Sequence, residues 1–506
     1  MRGRPAAPVT PDAKTAQDRK AAAVVVGGGM SGLLAARGLA AAGLAVTVLE
    51  ARKEWGGCVG RHELGGLSLD SGAESFATRS TAVADLAREL GLGDNIVAPH
   101  PGGAWVQLPD GPQELPKTGV LGIPANPWDP EVRRSLGRAG ALRASFDRWL
   151  PASWGAGGDV TSVASLVRAR MGRRVLDRLV SPVVGGVHSA DPELLDVDMV
   201  APGLRAAMRS TGSLAAAVAQ QRRVVGAPDP AGTKKAGSAV AGLTGGMNTL
   251  VSALVSELRS RGVTLLAGTR ADAVTREGNG WRVRAVSGAD AREYDAGLLV
   301  VALDGPAAVG LLESALPDLA ALRPAPGPLV SLVSLVVDKP ELDSRPRGTG
   351  ILVAPQASGI QAKALTHATA KWDWLAEEAG PGTHVLRLSY GRAHDGEAAA
   401  SADDPAALGD AALFDAALRD ASTLLGVPLS REDVLDWDVV RWAGALPFAA
   451  VGHRQRVAEV RKTAGQAGGL VLVGGWLAGN GLAAVVADTE RRIEAALAGA
   501  QTSETP

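Results

Sequence analysis

The stretch AAAVVVGGGMSGLLAARGLAAAGLAVTVLE, residues 21–50, decides the fold. Residues 21–26 are a short apolar, β-branched run, which reads as a buried parallel strand. Gly27-x-Gly29-x-x-Gly32 follows at once. Residues 33–42 are strong helix formers, and Gly43 suits the helix C-terminus. Ala45–Leu49 reads as a second strand, closed by Glu50 at about the twenty-residue spacing of a dinucleotide fingerprint. Each residue type has a physical task. Gly27 allows a tight turn, Gly29 lets the backbone approach a pyrophosphate, and Gly32 lets helix pack close to strand. The helix N-terminus faces the phosphate charge. Glu50 can accept hydrogen bonds from ribose hydroxyls. Gly27, Gly28, Gly29, Met30, Ser31, Gly32, Glu50 and Ala51 are therefore candidate cofactor contacts. The bland alternative is that the glycines serve close packing alone.

The choice between NAD and FAD rests on residues 51–59. Gly56-Gly57 is a second glycine pair a few residues past the acidic strand end. Such a pair typifies flavin oxidoreductases whose FAD lies extended across the domain, although an ordinary turn would also use it. The string VLEARKEWGGCV resembles the amine-oxidase and protoporphyrinogen-oxidase superfamily, and Gly57 and Cys58 join the candidate contacts on that resemblance.

The rest of the composition sets bounds. A chain of 506 residues can bury a large core and form more than one domain. With 46% hydrophobic and 21% charged residues it is a globular rather than a disordered chain. A formal net charge of −1 gives no electrostatic reason to expect nucleic acid. The single Cys58 excludes an intramolecular disulfide framework and a cysteine metal cluster, so a reducing, cytoplasmic setting is expected. The seven histidines show no metal-ligand spacing. Residues 1–20 are polar and read as a disordered tail. Residues 468–487 carry no charge, but glycines at 474, 475, 479 and 481 break them, so strand, turn and helix fit better than a membrane span.

Further motifs occur in order along the chain. LDSGAESF (69–76) comes after a hairpin expected around Gly65-Gly66, and residues 82–92 read as an amphipathic helix. GAESF resembles the GPDSF segment that passes under the flavin ring in bacterial FAD-dependent protoporphyrinogen/coproporphyrinogen III oxidases, with Ala73 and Glu74 replacing Pro and Asp. LPKTGVLGIPANP (115–127), SPVVGGVHSADPELLDV (181–197), LTGGMNTL (243–250), LRLSYGRAHD (386–395), VVRWAGALPFAAVGH (439–453) and LVLVGGWLAGNGLAAVV (470–486) resemble successive segments of the same family. Phe448 and Ala449 stand where Gln and Tyr are usual, and the closing GVGIPDCI pattern lacks its Pro, Asp and Cys here.

The resemblance implies an α/β plus α+β fold. It implies a discontinuous Rossmann-like FAD-binding domain (21–80, 241–305 and 455–500) and a mixed-sheet substrate-binding domain (81–114 and 306–454). A helical insert (115–225), a linker (226–240) and the tail (1–20) complete the chain. Gly72, Ala73, Glu74, Ser75, the backbone at Ala271, Trp442, Asn480, Gly481 and Leu482 are the further FAD contacts implied, with a core role the alternative for Trp442. A covalent tether at Cys58 is a minor alternative. The implied reaction removes six electrons and six protons from a porphyrinogen in haem biosynthesis, in three hydride transfers to flavin N5, with O2 reduced to H2O2. Coproporphyrinogen III is the preferred substrate and protoporphyrinogen IX the alternative. No catalytic side chain is assigned. Arg79 and Arg392 are candidates to pair with substrate propionates, with solvated surface arginines the alternative. His367 is a further substrate candidate, or a structural histidine. A ferrochelatase that takes the product, and peripheral membrane contact through the insert, are implied partners. Two competing readings are another flavin amine oxidase or desaturase, and a flavin-binding protein without turnover.

Overall fold

The computed structural model describes residues 22–117, 119–155, 161–225, 239–391, 404–444, 450–479 and 481–502. The tail, most of the linker, Arg392, Phe448, Ala449 and Asn480 lie outside the described residues.

The quoted stretch folds into strand Ala22–Val26, helix Met30–Ala41 and strand Ala45–Leu49. The helix starts three residues before the run expected from propensity, because Gly29 acts as its N-cap in extended geometry (φ −73°, ψ 178°) and the fingerprint itself forms the first turn. It stops where expected. Gly43 adopts φ +85°, and Leu44 N–H reaches back to the Leu39 carbonyl at 3.2 Å.

These strands enter a five-stranded parallel sheet. Its order is Thr264–Leu266, Ala45–Leu49, Ala22–Val26, Leu298–Val301 and Leu470–Leu472. All strands run parallel, but the strand order reverses between Ala22–Val26 and Leu298–Val301, so the glycine turn after Ala22–Val26 opens at the switch point where ligands bind in such sheets. Both faces are covered. Leu33, Leu39, Leu250 and Leu254 from two helices pack on one side, and Trp281, Leu312 and Val460 pack on the other. A three-stranded antiparallel sheet (Arg270–Glu277, Gly280–Ser287, Asp290–Ala296) adjoins it.

A second, seven-stranded mixed sheet forms the substrate domain. Its order is Val434–Ala443, Leu329–Asp338, Thr383–Tyr390, Ala364–His367, Gly350–Val353, Trp105–Leu108 and Gly111–Glu114. The long helix Asp410–Leu425 covers one face through Leu413, Phe414 and Leu424. The helical insert has its own core around Leu166, Leu179 and Met208. Within it, fully buried Arg170 donates to Asp147 at 2.6 Å and to the carbonyls of Pro151 and Gly212, tying three segments together.

Several local expectations hold for clear reasons. Gly65 and Gly66 both adopt positive φ (57° and 79°), as a two-residue turn between strands Arg61–Leu64 and Leu67–Asp70 requires. The uncharged stretch resolves into strand Leu470–Leu472, helix Gly475–Ala478 and a helix from Leu482 to Thr502. Among the described residues no helix is long and apolar enough to cross a membrane. Two boundaries differ. The helix expected over 82–92 ends at Glu89, because Gly91 turns left-handed and Leu92 N–H caps the Ala87 carbonyl at 2.7 Å. The expected linker gives up its last residue: strand Val240–Leu243 begins at Val240 and pairs with Phe76–Ala77 and Ile96–Val97.

Candidate functional site

The glycine turn separates glycines the fold needs from one it does not. A Cβ on Gly27 would sit 2.5 Å from the Ala302 carbonyl oxygen, and one on Gly32 would sit 1.8 Å from the Gly27 carbonyl oxygen. Both are packing glycines. A Cβ on Gly29 would meet nothing closer than Gly57 Cα at 3.9 Å, and its φ of −73° is open to any residue. Protein packing therefore does not account for glycine at position 29, whereas close approach of a pyrophosphate would. Met30 and Ser31 are buried in the first helical turn behind it.

Glu50 is aimed at this turn. One carboxylate oxygen accepts the Gly28 amide at 2.6 Å and the other accepts the Arg52 amide at 2.7 Å. The Glu50 carbonyl accepts the Thr269 amide at 2.7 Å, and the Arg52 carbonyl accepts the Gly268 amide at 2.8 Å. These bonds bring the strand containing Ala271 to the acidic strand end, where an adenosine bound through Glu50 would lie. Ala51 is exposed beside them.

The second glycine pair folds back onto the first. Gly56 N–H donates to the Gly28 carbonyl at 2.9 Å, and Gly29 and Gly56 form a parallel bridge. Gly57 turns with φ +59°. Cys58 is exposed, and desolvation by the protein around it raises its thiol pKa. Its carbonyl accepts the Ala73 amide at 2.8 Å. A Cβ on Gly72 would lie 2.2 Å from that same carbonyl oxygen. The 72–75 loop thus continues the floor that starts at Gly29.

Three side chains of the substrate domain hold this loop. Trp442 is buried and donates its indole N–H to the Ser71 carbonyl at 2.8 Å, while the Arg52 guanidinium stacks 4.8 Å from its ring. Arg387 donates to the Gly72 carbonyl at 2.8 Å and to the Glu74 carboxylate at 2.9 Å. Lys371 donates to the other Glu74 oxygen at 2.5 Å. Burial alone would raise the Glu74 pKa, but Arg387 and Lys371 outweigh it and bring it down to about 2. Just before the loop, Asp70 accepts the Met247 and Asn248 amides at 2.9 and 3.0 Å, capping helix Asn248–Ser260.

The remaining candidates fall into three groups. Gly481 (φ +111°) and Leu482 open the last helix, and Leu482 packs on the cluster that contains Met30. Arg79 is exposed, and its side chain has no partner among the described residues; Arg392 and Asn480 lie outside them. His367 must be corrected as a substrate candidate. It has no exposed surface, and its Nε2 lies 3.0 Å from Nδ1 of His384, whose Nε2 lies 3.2 Å from an Asp343 carboxylate oxygen. Lys371 and Arg387 are site residues that sequence reasoning missed. A polar residue inside the apolar run LRLSY was the available signal for Arg387; nothing local marked Lys371.

A cavity of about 450 Å3 opens elsewhere, between the hairpin Trp105–Glu114 and the insert, lined by Asp110, Arg134, Arg174 and Arg178. It shares no residue with the glycine turn. Two of its cations are already engaged: Arg178 grips Asp110 at 2.8 and 3.0 Å, and Arg174 donates to the Leu136 carbonyl at 3.0 Å. The candidate site therefore lies at the strand ends and not in this cavity.

A glycine turn at the switch point, an acidic strand end and a second domain clasping the far loop define a two-domain flavoprotein. The profile of the family described as flavin containing amine oxidoreductase matches residues 30–489. The chain belongs to this family and is an FAD-dependent oxidoreductase. It is 31% identical over 93% of its length to a coproporphyrinogen III oxidase from Mycobacterium leprae, covering 97% of that protein. It is 26% identical over 88% of its length to one from Bacillus subtilis, covering 91% of it. A crystal structure of a provisionally named protoporphyrinogen oxidase from Exiguobacterium sp. 255-15 superposes with a TM-score of 0.75 at 25% identity, covering 94% of this chain and 98% of that one.

Proposed function

We propose that the protein oxidises a porphyrinogen to the porphyrin in haem biosynthesis, with coproporphyrinogen III as preferred substrate. The observation that carries this is the near full-length match to coproporphyrinogen III oxidases from several bacteria. The site fits the FAD such an oxidase needs. Glu50 would bind the ribose, the amides after Gly29 the pyrophosphate, and the backbone of 72–75 and 481–482 the ring. FAD supplies the redox chemistry, taking up six electrons from the macrocycle in three rounds and passing them to three O2 to give three H2O2. The chain orients the macrocycle and excludes water; among the described residues no metal-binding cluster exists. Arg79, exposed and without a partner among the described residues, is the proposed contact for a substrate propionate, with Arg392 its proposed companion.

Protoporphyrinogen IX is the second reading, favoured by the Exiguobacterium likeness and by 30% identity over 46% of the chain to an Arabidopsis protoporphyrinogen oxidase. Anaerobic mixing of the holoenzyme with each porphyrinogen decides. Faster bleaching of the flavin by coproporphyrinogen III supports the first reading, faster bleaching by protoporphyrinogen IX the second, and bleaching by neither rejects both.

We also propose peripheral contact with an anionic membrane through the insert, from which product would pass to a ferrochelatase. Leu142, Phe146 and Trp149, spaced for one helical face, are exposed at 53%, 46% and 63%, and Trp128 bonds to Ser145 beside them. Between Trp128 and Arg178 ten arginines face five carboxylates. Exposed aromatics with flanking cations suit a negatively charged lipid interface. Co-sedimentation with anionic but not zwitterionic vesicles, lost in Phe146→Ser/Trp149→Ser, is the expected result.

A further inference from the structure

Glu74 meets Lys371, 297 positions further along the chain, and Arg387 beyond it, where the two domains touch. Glu74 lies on the loop that continues the glycine floor. Lys371 ends the short helix Ala368–Lys371, and Arg387 lies on strand Thr383–Tyr390. Their side chains are only 14–16% exposed. Both carboxylate oxygens of Glu74 are engaged. Arg387 spans the Asp70 and Gly72 carbonyls and one Glu74 oxygen, and Lys371 takes the other. Lys371 is itself steered by the Trp372 ring, 5.1 Å away. That ring is fixed against Gly242, where a Cβ would come within 2.7 Å of it. Two cations and one carboxylate leave one net positive charge in the cluster.

A cofactor that starts at Glu50 and crosses Gly29 must pass Gly56–Cys58 and then 72–75 to reach the substrate sheet, because hydrogen bonds connect these segments in that order. We infer that Glu74, Lys371 and Arg387 are positioning residues: a buried ionic clasp that fixes the 72–75 loop at the distance from the substrate sheet needed for electron transfer from substrate to flavin. The inference rests on the proposed porphyrinogen oxidation. It differs from propionate recognition, which the same cations could otherwise serve, in predicting an effect on turnover and not on substrate affinity.

The test uses holoenzyme with Glu74→Gln, Lys371→Met, and the double variant. Glu74→Gln alone leaves two buried cations facing each other and can destabilise the fold. The double variant keeps the wild-type net charge of the cluster, so it isolates geometry from charge. We expect the double variant to fold and retain FAD, with a changed visible circular dichroism of the bound flavin. Anaerobic flavin bleaching at saturating porphyrinogen should slow by about 10- to 100-fold, the scale of a misplaced reacting pair, with half-saturation little changed. Glu74→Asp should recover part of the rate and the wild-type dichroism. A double variant with wild-type dichroism and wild-type bleaching overturns the clasp. So does a loss confined to half-saturation, which would make these cations substrate contacts. If wild-type flavin is bleached by no porphyrinogen, the proposed function fails, and the dichroism alone decides the clasp.

Discussion

The Gly28 amide donates to the Glu50 carboxylate at 2.6 Å and so locks the acidic end of the second strand onto the glycine turn. The same carboxylate takes the Arg52 amide at 2.7 Å. Glu50 is therefore oriented before any ribose arrives, and its remaining lone pairs are those a pair of hydroxyls would use. Glu50→Ala removes both the anchor and the ribose acceptor. Hydrogen bonds to a charged group are worth about 1.5–3 kcal/mol, so FAD affinity should fall by about 10- to 100-fold. Titration of apoprotein with FAD, followed by flavin fluorescence quenching, checks this; unchanged affinity would remove Glu50 from the site.

Gly29 and Gly32 should behave in opposite ways. Gly29→Val meets no protein atom closer than 3.9 Å at Cβ, so the apoprotein should fold and melt as wild type does but purify colourless. Gly32→Ala drives a Cβ to 1.8 Å from the Gly27 carbonyl and should cost the fold itself. Flavin absorbance relative to protein, read beside the melting curve of each apoprotein, separates the two. A yellow Gly29→Val protein would contradict the pyrophosphate assignment.

The contrast between those glycines marks how far the sequence is legible. The fingerprint, the Gly65-Gly66 turn and the strand alternation are local, and a local pattern fixes them. The clasp is not: Lys371 reaches Glu74 across 297 positions, and no periodicity in either segment announces the pairing. Trp442 shows the intermediate case. The segment around it marks it as a candidate, but its bond to Ser71, 371 positions away, depends on how the two domains meet. His367 is legible as the structural histidine of its two readings. On Ala364–His367 it shares parity with Leu365, which is buried in the sheet core, so strand alternation already turned it away from any cavity.

Trp442→Phe tests the domain contact without emptying the core. It keeps an aromatic ring among Val330 and Leu332 but leaves the Ser71 carbonyl without its indole donor. An unpaired buried acceptor costs about 1–3 kcal/mol. The melting temperature should fall by several degrees, and the loop at 71–75 should gain hydrogen exchange at its amides. A melt unchanged within error would show that water replaces the indole at no cost.

The buried histidines predict how stability depends on acid. Burial, reinforced by the charges of His384 and Arg345, holds His367 at about 3. Burial lowers His384 too, against the pull of Asp343, and brings His188 to about 4. One tautomer satisfies the pair: His367 Nε2–H donates to His384 Nδ1, which also faces the Thr369 hydroxyl at 3.2 Å. These groups are neutral in the fold and charged in the unfolded chain below its ordinary value of 6.5. The unfolded state then binds more protons, so their contribution is complete above that pH and is lost as pH falls towards the folded values. Glu74 acts lower down. Its carboxylate contribution is whole above 4.5 and fades towards about 2. Stability should thus begin to fall below neutrality, before any depressed carboxylate titrates. His367→Gln keeps a donor for His384 but cannot titrate. Its melting temperature should sit a little below wild type at pH 7 and fall less between pH 7 and 4.5, by an amount on the order of 2–3 kcal/mol of stability. Parallel curves for the two proteins would mean that this pair is already protonated in the folded state, or never becomes charged on unfolding.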